Sequence, residues 1–246
     1  MSTGVEVFTA AQAFSEDELR GKTAVMIDVL RASSTIVAAL ENGAKGVIPV
    51  GDMDAAGRIS QGLDSSHYLL CGEKDGVTIE GYDLGNSPLE YTPETVGGHT
   101  VILNTTNGTK ALKRCSLAGE VYVGCFRNLD ALVRRLRESG NDIVLVCAGW
   151  RGRLSIEDLL CAGNIIHELS EGSLSEDARD GAKVAFGLFE KFGDDIEKVV
   201  FSSNHASRLQ DIVGSEDLRY CAELSVTDVL PAMHEGIITD SHGKQE

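Results

Sequence analysis

The chain has 246 residues, of which 42% are hydrophobic and 24% charged, enough apolar material for a folded globular core. Its 38 acidic against 22 basic residues give a net charge of −16, which argues against nucleic acid and anionic membranes as partners because both need a basic footprint. Six scattered cysteines without a CxxC pair argue against a structural zinc site and predict a reduced, cytoplasmic protein. No apolar run approaches the roughly 18 residues that span a bilayer. Met1 to Ala13 lacks the basic segment and apolar core of a signal peptide.

Taken in order, Ala24 to Leu30 reads as a strand interrupted by one carboxylate, Asp28. Arg31 to Ser34 form a turn into a helix with Ile36, Val37 and Leu40 on one face, stopped by Asn42-Gly43. Gly46 to Val50 is a second strand and Asp52 to Gln61 a short helix. Tyr68 to Cys71 is a third strand, ending in Gly72-Glu73-Lys74, and a long loop rich in turn formers runs from Asp75 to Thr92. Val101 to Leu103 form a strand that passes through Asn104 to Thr109 into a helix first turn at Lys110 to Leu112. Such a junction suits an anion, although an ordinary capped turn has the same composition.

Glu120 to Phe126 is a further strand, and the next helix places Leu129, Leu132, Val133 and Leu136 on one face. Ile143 to Cys147 is a fully apolar strand, followed by the loop Ala148 to Leu154. Ser155 and Asp158 read as a capping-box-like pair opening a helix that buries Leu159, Ala162, Ile166 and Leu169. A helix is predicted over Glu176 to Lys191, a strand over Val199 to Phe201, and a short helix after Ser202 to His205. The tail from Tyr220 carries no clear pattern, and disorder is expected from about residue 239.

Strands alternating with amphipathic helices predict a single α/β domain over residues 1–246: a three-layer α/β/α sandwich on a mixed, largely parallel sheet. Ligands of such sheets gather beyond the strand C-terminal ends, so Asp28, Glu73, Thr105 to Thr109, Arg151 and His205 are expected at one mouth. In so acidic a chain, Arg31, Lys74, Lys110, Arg127, Arg151 and Arg153 all fall in or beside loops that follow strands. That placement points to a pocket for an anionic ligand.

Six segments, matching in one order from about Asp28 to Pro231, carry a resemblance. They are DVLRASST (28–35), GEKDG (72–76), GYDLGNSP (81–88), TTNGTKAL (105–112), CAGWRGRLSIEDLLCAG (147–163) and NHASRL (204–209). Together they resemble the 2-phosphosulfolactate phosphatases, magnesium-dependent enzymes of coenzyme M biosynthesis. Lys74 stands where an arginine is expected; a point charge there can hold an anion, but not bidentately. The resemblance implies a cytosolic α/β/α phosphomonoesterase that uses Mg²⁺ on a small anionic phosphoester; a homo-oligomer is a separate candidate partner state on which the sequence is silent. A phosphatase for another small phosphorylated acid and a non-catalytic small-anion-binding protein are the alternatives.

For that chemistry the metal-ligand candidates are Asp28, Glu73, Glu157 and Asp158, because Mg²⁺ takes a few carboxylate oxygens and keeps several waters. An ion pair with Arg31 is the competing account of Asp28, and helix capping that of Glu157 and Asp158. Substrate contacts are expected from Arg31, Ser33, Lys74, Asn86, Ser87 and the run Thr105, Thr106, Asn107, Gly108 and Thr109. Arg151 and Arg153 are candidates for a carboxylate or sulfonate. His205 is the candidate general acid, with capping as its structural alternative. The attacking group is left among water, a covalent Asp28, and Cys147, which makes C-x5-R with Arg153 in the spacing of cysteine phosphatases.

Overall fold

The computed structural model describes residues 4–62, 64 and 66–242. In chain order it builds β1 (Val5–Phe8), β2 (Thr23–Ile27), α1 (Ala32–Glu41), β3 (Gly46–Val50), α2 (Met53–Ser60), β4 (Tyr68–Lys74) and β5 (Val77–Thr78). Then come α3 (Pro93–Val96), β6 (Thr100–Asn104), α4 (Gly108–Arg114), β7 (Glu120–Gly124), α5 (Leu129–Glu138), β8 (Ile143–Cys147) and α6 (Ile156–Leu169). The chain ends with α7 (Asp180–Phe192), α8 (Ile196–Ser202), α9 (Asn204–Val213), α10 (Glu216–Ala222), β9 (Pro231–His234) and β10 (Ile237–Asp240).

Ten strands form one mixed, mostly parallel sheet in the order β1-β8-β2-β7-β9-β10-β3-β6-β4-β5. Within it β1, β8, β2 and β7 run parallel, as do β3, β6 and β4. All five residues of β2 are buried, as a central parallel strand covered on both faces requires. Its alternation divides the core. Val25 and Ile27 pack with α5, α6 and α8 through Leu132, Leu160 and Val200, while Ala24 and Met26 pack with α1 and α4 through Ile36 and Leu112. Helices on both faces make the three layers that the strand–helix alternation predicts. Fully burying each such Leu or Ile contributes about 1.5–3 kcal/mol before entropy is counted.

Two expectations fail. Thr239 and Asp240 lie in β10, not in a disordered tail: β9 and β10 form an antiparallel hairpin inserted between the two parallel blocks. Tyr122 of β7 faces Ala232, Val47 of β3 faces Ile238, and the Asp240 carboxylate accepts from Leu230 N at 3.0 Å. The hairpin joins the two blocks into one sheet through these pairings, and Ala232 and Ile238 are buried in the core clusters on opposite faces. For residues 243–246 the expected disorder lies outside the described residues.

Val199 to Phe201 is part of helix α8 and not a strand. A three-residue apolar run does not separate the two, and the decisive signal lies upstream: Asp195 caps the helix, accepting from Lys198 N at 3.1 Å. The preceding helix also starts later than its apolar pattern suggests, at Asp180.

Candidate active site

The C-terminal ends of β2, β4, β6 and β8 open into one cleft lined by Asp28, Arg31, Glu73, Asn86, Thr105, Thr106, Asn107, Arg151 and His205. Leu30, Asp75, Gly76, Trp150, Arg208 and Leu209 complete its wall. Asp28 is the first residue after β2 and is held from its backbone side: its N–H donates to Ser33 Oγ at 2.9 Å, and its carbonyl accepts from Ser33 N at 2.9 Å. Ser34 Oγ donates to Val29 O at 3.0 Å. Both hydroxyls are fully buried and knit the bend, so Ser33 does not reach the cleft as a substrate contact.

Gly108 opens α4 directly behind Asp28. A Cβ there would lie 2.8 Å from Asp28 Oδ2 and 2.4 Å from Ala32 Cβ, so glycine makes room for the carboxylate. The expected anion loop is partly spent on the protein itself. Thr106 N donates to Glu73 Oε1 at 2.7 Å, while Thr109 donates from N to Thr105 Oγ1 and from Oγ1 to Thr105 O, behind the cleft. Thr105, Thr106 and Asn107 remain on the lining. Glu73 accepts from Gly76 N through its second oxygen at 2.6 Å, fastening the 74–77 turn to the 105–107 loop.

Arg31 neither pairs with Asp28 nor stands free for substrate. It donates to Asp217 Oδ2 at 2.7 Å and to Gly76 O at 3.2 Å. Ser87 Oγ donates to the other Asp217 oxygen at 2.7 Å, which removes Ser87 from the substrate contacts. The guanidinium and its partner carboxylate are 2% and 3% exposed, and removing one member of such a pair strands the other charge. Asp217→Ala is expected to lower the unfolding free energy by roughly 3–5 kcal/mol in urea titrations.

Lys74 and Lys110 line an adjoining groove that shares Glu73, Asp75, Thr105 and Thr106 with the cleft, and Arg153 is exposed, its backbone N–H and C=O engaged by Trp150. Asn86 lines the cleft with its Oδ1 buried and without a hydrogen-bond partner among the described residues.

Glu157 and Asp158, adjacent on α6, diverge. Asp158 accepts from Val29 N at 2.8 Å and from Gly149 N at 3.1 Å, so it staples the β2 and β8 loops and caps nothing at its own helix. Glu157, fully buried, meets His205 Nδ1 at 3.1 Å through Oε1. Trp150 stacks on the His205 ring with centroids 5.5 Å apart and planes 20° from parallel, and the Arg151 guanidinium lies over the same indole at 4.9 Å.

Burial acts against ionising Glu157, but the His205 hydrogen bond and charge bring its carboxyl below the usual range. Asp28 moves the other way. Burial raises it, His205 opposes, and the Glu73 and Glu157 charges add to the rise, leaving it at about 6. Burial with Asp28 and Glu157 alongside likewise pushes Asp158 well above the carboxylate range.

Among the described residues no three His, Cys, Asp or Glu side chains form a ready-made cation cage. The cleft nonetheless suits a hard cation that keeps most of its waters. Asp28 and Glu73 offer carboxylate oxygens, burial and then the Glu73 and Glu157 charges raise the Asp28 carboxyl against His205, and the unpartnered Asn86 oxygen lies on the same wall. A cysteine mechanism does not fit. Cys147 is fully buried, outside the lining, and burial with Asp158 and Glu157 nearby pushes its thiol well up, the opposite of an activated thiolate. Cys147→Ser is expected to keep at least about half of wild-type turnover in a phosphate-release assay.

Sequence reasoning missed Trp150, Asp75, Arg208 and Asp217. Arg208 carried a usable signal, three residues beyond His205 on one helix face; Asp217 carried none, since its partner lies 186 positions away.

A three-layer α/β/α protein with acid, amide and imidazole groups gathered at the strand C-termini falls in the class of small-anion enzymes. The profile of 2-phosphosulpholactate phosphatase matches residues 8–236, and the chain belongs to that family. It is 38% identical over 238 residues to a probable 2-phosphosulfolactate phosphatase of Caldanaerobacter subterraneus subsp. tengcongensis, covering 96% of this chain and 98% of that one. A protein of the same designation in Thermotoga maritima is 42% identical over 217 residues, 88% and 91% of the two chains. One from Clostridium beijerinckii is 34% identical over 235 residues, 96% and 98%. No helix among the described residues is long and apolar enough to cross a membrane.

Proposed function

We propose that this chain is a cytoplasmic, Mg²⁺-dependent phosphomonoesterase that converts 2-phosphosulfolactate to sulfolactate and phosphate in coenzyme M biosynthesis. The observation that carries the reading is the meeting of Asp28, the 105–107 loop and the Glu157–His205 pair in one cleft of a chain from this family. Asp28 and Glu73, the two of the four candidate carboxylates that line the cleft beside the phosphate loop, would hold the cation. When bound, it supplies charge neutralisation at the phosphoryl oxygens and lowers the pKa of a water molecule.

The remaining work falls to the chain itself. Thr106, Asn107 and Asn86 orient the phosphoryl group, and Arg151 holds one of the substrate's acid groups. Water attacks phosphorus as the ester P–O bond breaks. His205, its Nδ1 held by the Glu157 carboxylate, delivers a proton from Nε2 to the departing alkoxide. The test is phosphate release from 2-phosphosulfolactate. Activity should vanish in EDTA and return with Mg²⁺; full activity in EDTA would overturn the metal dependence.

A further inference from the structure

The cleft's three arginines differ in what they would lose by turning to a substrate. Arg31 is committed to a buried carboxylate. Arg151 has no carboxylate within 4 Å among the described residues and rests on Trp150. Arg208 is the intermediate case: its Nη2 donates to Asp75 O at 3.0 Å and stands 3.6 Å from Asp75 Oδ1. Its side chain is 35% exposed and that of Asp75 65%, so the charge contact is a surface one that water screens and a substrate can displace. The Asp75–Gly76 turn that receives it is seated on α9: a Cβ on Gly76 would lie 2.9 Å from Ile212 Cδ1.

Position adds the chemistry. His205, Arg208 and Leu209 all line the cleft from α9, and residues three apart on a helix stand about 5–6 Å apart at Cβ. In a 2-phospho acid the carboxylate carbon is bonded directly to the carbon that carries the ester oxygen. A helix that brings a proton donor to that oxygen therefore brings a side chain one turn away to the neighbouring acid group.

Building on the hydrolase reading above, we propose that Arg208 is the specificity residue for the carboxylate next to the phosphoester, exchanging its contact with Asp75 for that group. It takes the place expected of Arg153, and it makes the site selective for phosphorylated acids over phosphate esters of neutral alcohols. Asp75 occupies Arg208 in the free protein and competes with the substrate for it.

The test compares kcat/KM on 2-phosphosulfolactate and on glycerol 2-phosphate, whose alcohol is neutral. Arg208→Gln should lose about 10–100-fold on the first, mostly in KM, with a loss at least tenfold smaller on the second. Arg208→Lys should recover part of the loss, and Asp75→Asn should lower KM for the acid. Equal losses on both esters, or none on either, would overturn the assignment. Calorimetric binding of sulfolactate needs no turnover and should weaken at least about tenfold in Arg208→Gln. Wild-type affinity in that variant would overturn the role of Arg208 by itself. Absence of phosphate release from wild type would instead count against the hydrolase reading, with calorimetry still deciding Arg208.

Discussion

Asp28→Asn is expected to abolish turnover, by roughly a thousandfold or more, and at the same time to stabilise the metal-free fold at neutral pH. The two effects share a cause. Burial and the Glu73 and Glu157 charges, opposed by His205, raise the Asp28 carboxyl from its ordinary 3.8 to about 6. The unfolded chain releases that proton near pH 4, whereas the folded protein keeps it until about pH 6. Between those values the folded state binds more protons, so its stability falls as pH rises, and above about pH 6 the full cost is present. At about 1.4 kcal/mol per tenfold in proton affinity, that cost is about 3 kcal/mol. The asparagine variant should show no such cost. Urea unfolding of both proteins in EDTA should give curves that coincide near pH 4 and separate by about 3 kcal/mol at pH 7. Mg²⁺ should then raise the melting temperature of wild type and leave that of the variant unmoved. A variant less stable than wild type at pH 7 would contradict the electrostatic account.

His205→Gln is expected to cut kcat on 2-phosphosulfolactate by about 10²–10⁴-fold, the usual range for a general acid. The loss should be at least tenfold smaller on p-nitrophenyl phosphate, whose leaving group departs without a proton. Glu157→Gln should lose less than His205→Gln on the natural ester and show the same contrast, because Glu157 acts through His205 Nδ1. Equal losses on both esters would assign the pair to packing. Trp150, stacked on the same ring, limits how far the imidazole can turn when its carboxylate partner is altered.

The mouth of the sheet was legible because polar residues stand at or shortly after the ends of several apolar strand runs. Asp28, Glu73 and Thr105 lie at such ends and Arg151 four residues past Cys147, and a parallel sheet brings them to one side. What each group touches was not legible. Arg31 with Asp217, and Asp158 with Val29 N and Gly149 N, join segments far apart in sequence, and local pattern carries no trace of such pairings. Ser33, Ser87 and Thr109 have the composition of ligand contacts but are consumed by the backbone and by Asp217.

The tail hid its hairpin for a different reason. Its two four-residue strands, one beginning at Pro231, bury only Pro231, Ala232 and Ile238, too few to show a period of two, and they pair with β7 and β3 from distant parts of the sequence. The α8 segment shows the complementary error, in which three apolar residues were read without the aspartate four positions before Val199 that starts their helix.

Whether the Asp28 cleft hydrolyses a phosphoester can be read from ³¹P NMR of 2-phosphosulfolactate with Mg²⁺. With wild type the ester resonance should be replaced by inorganic phosphate in equal amount, and with Asp28→Asn it should persist. Persistence of the ester with wild type, or its equally fast loss with Asp28→Asn, would contradict the account.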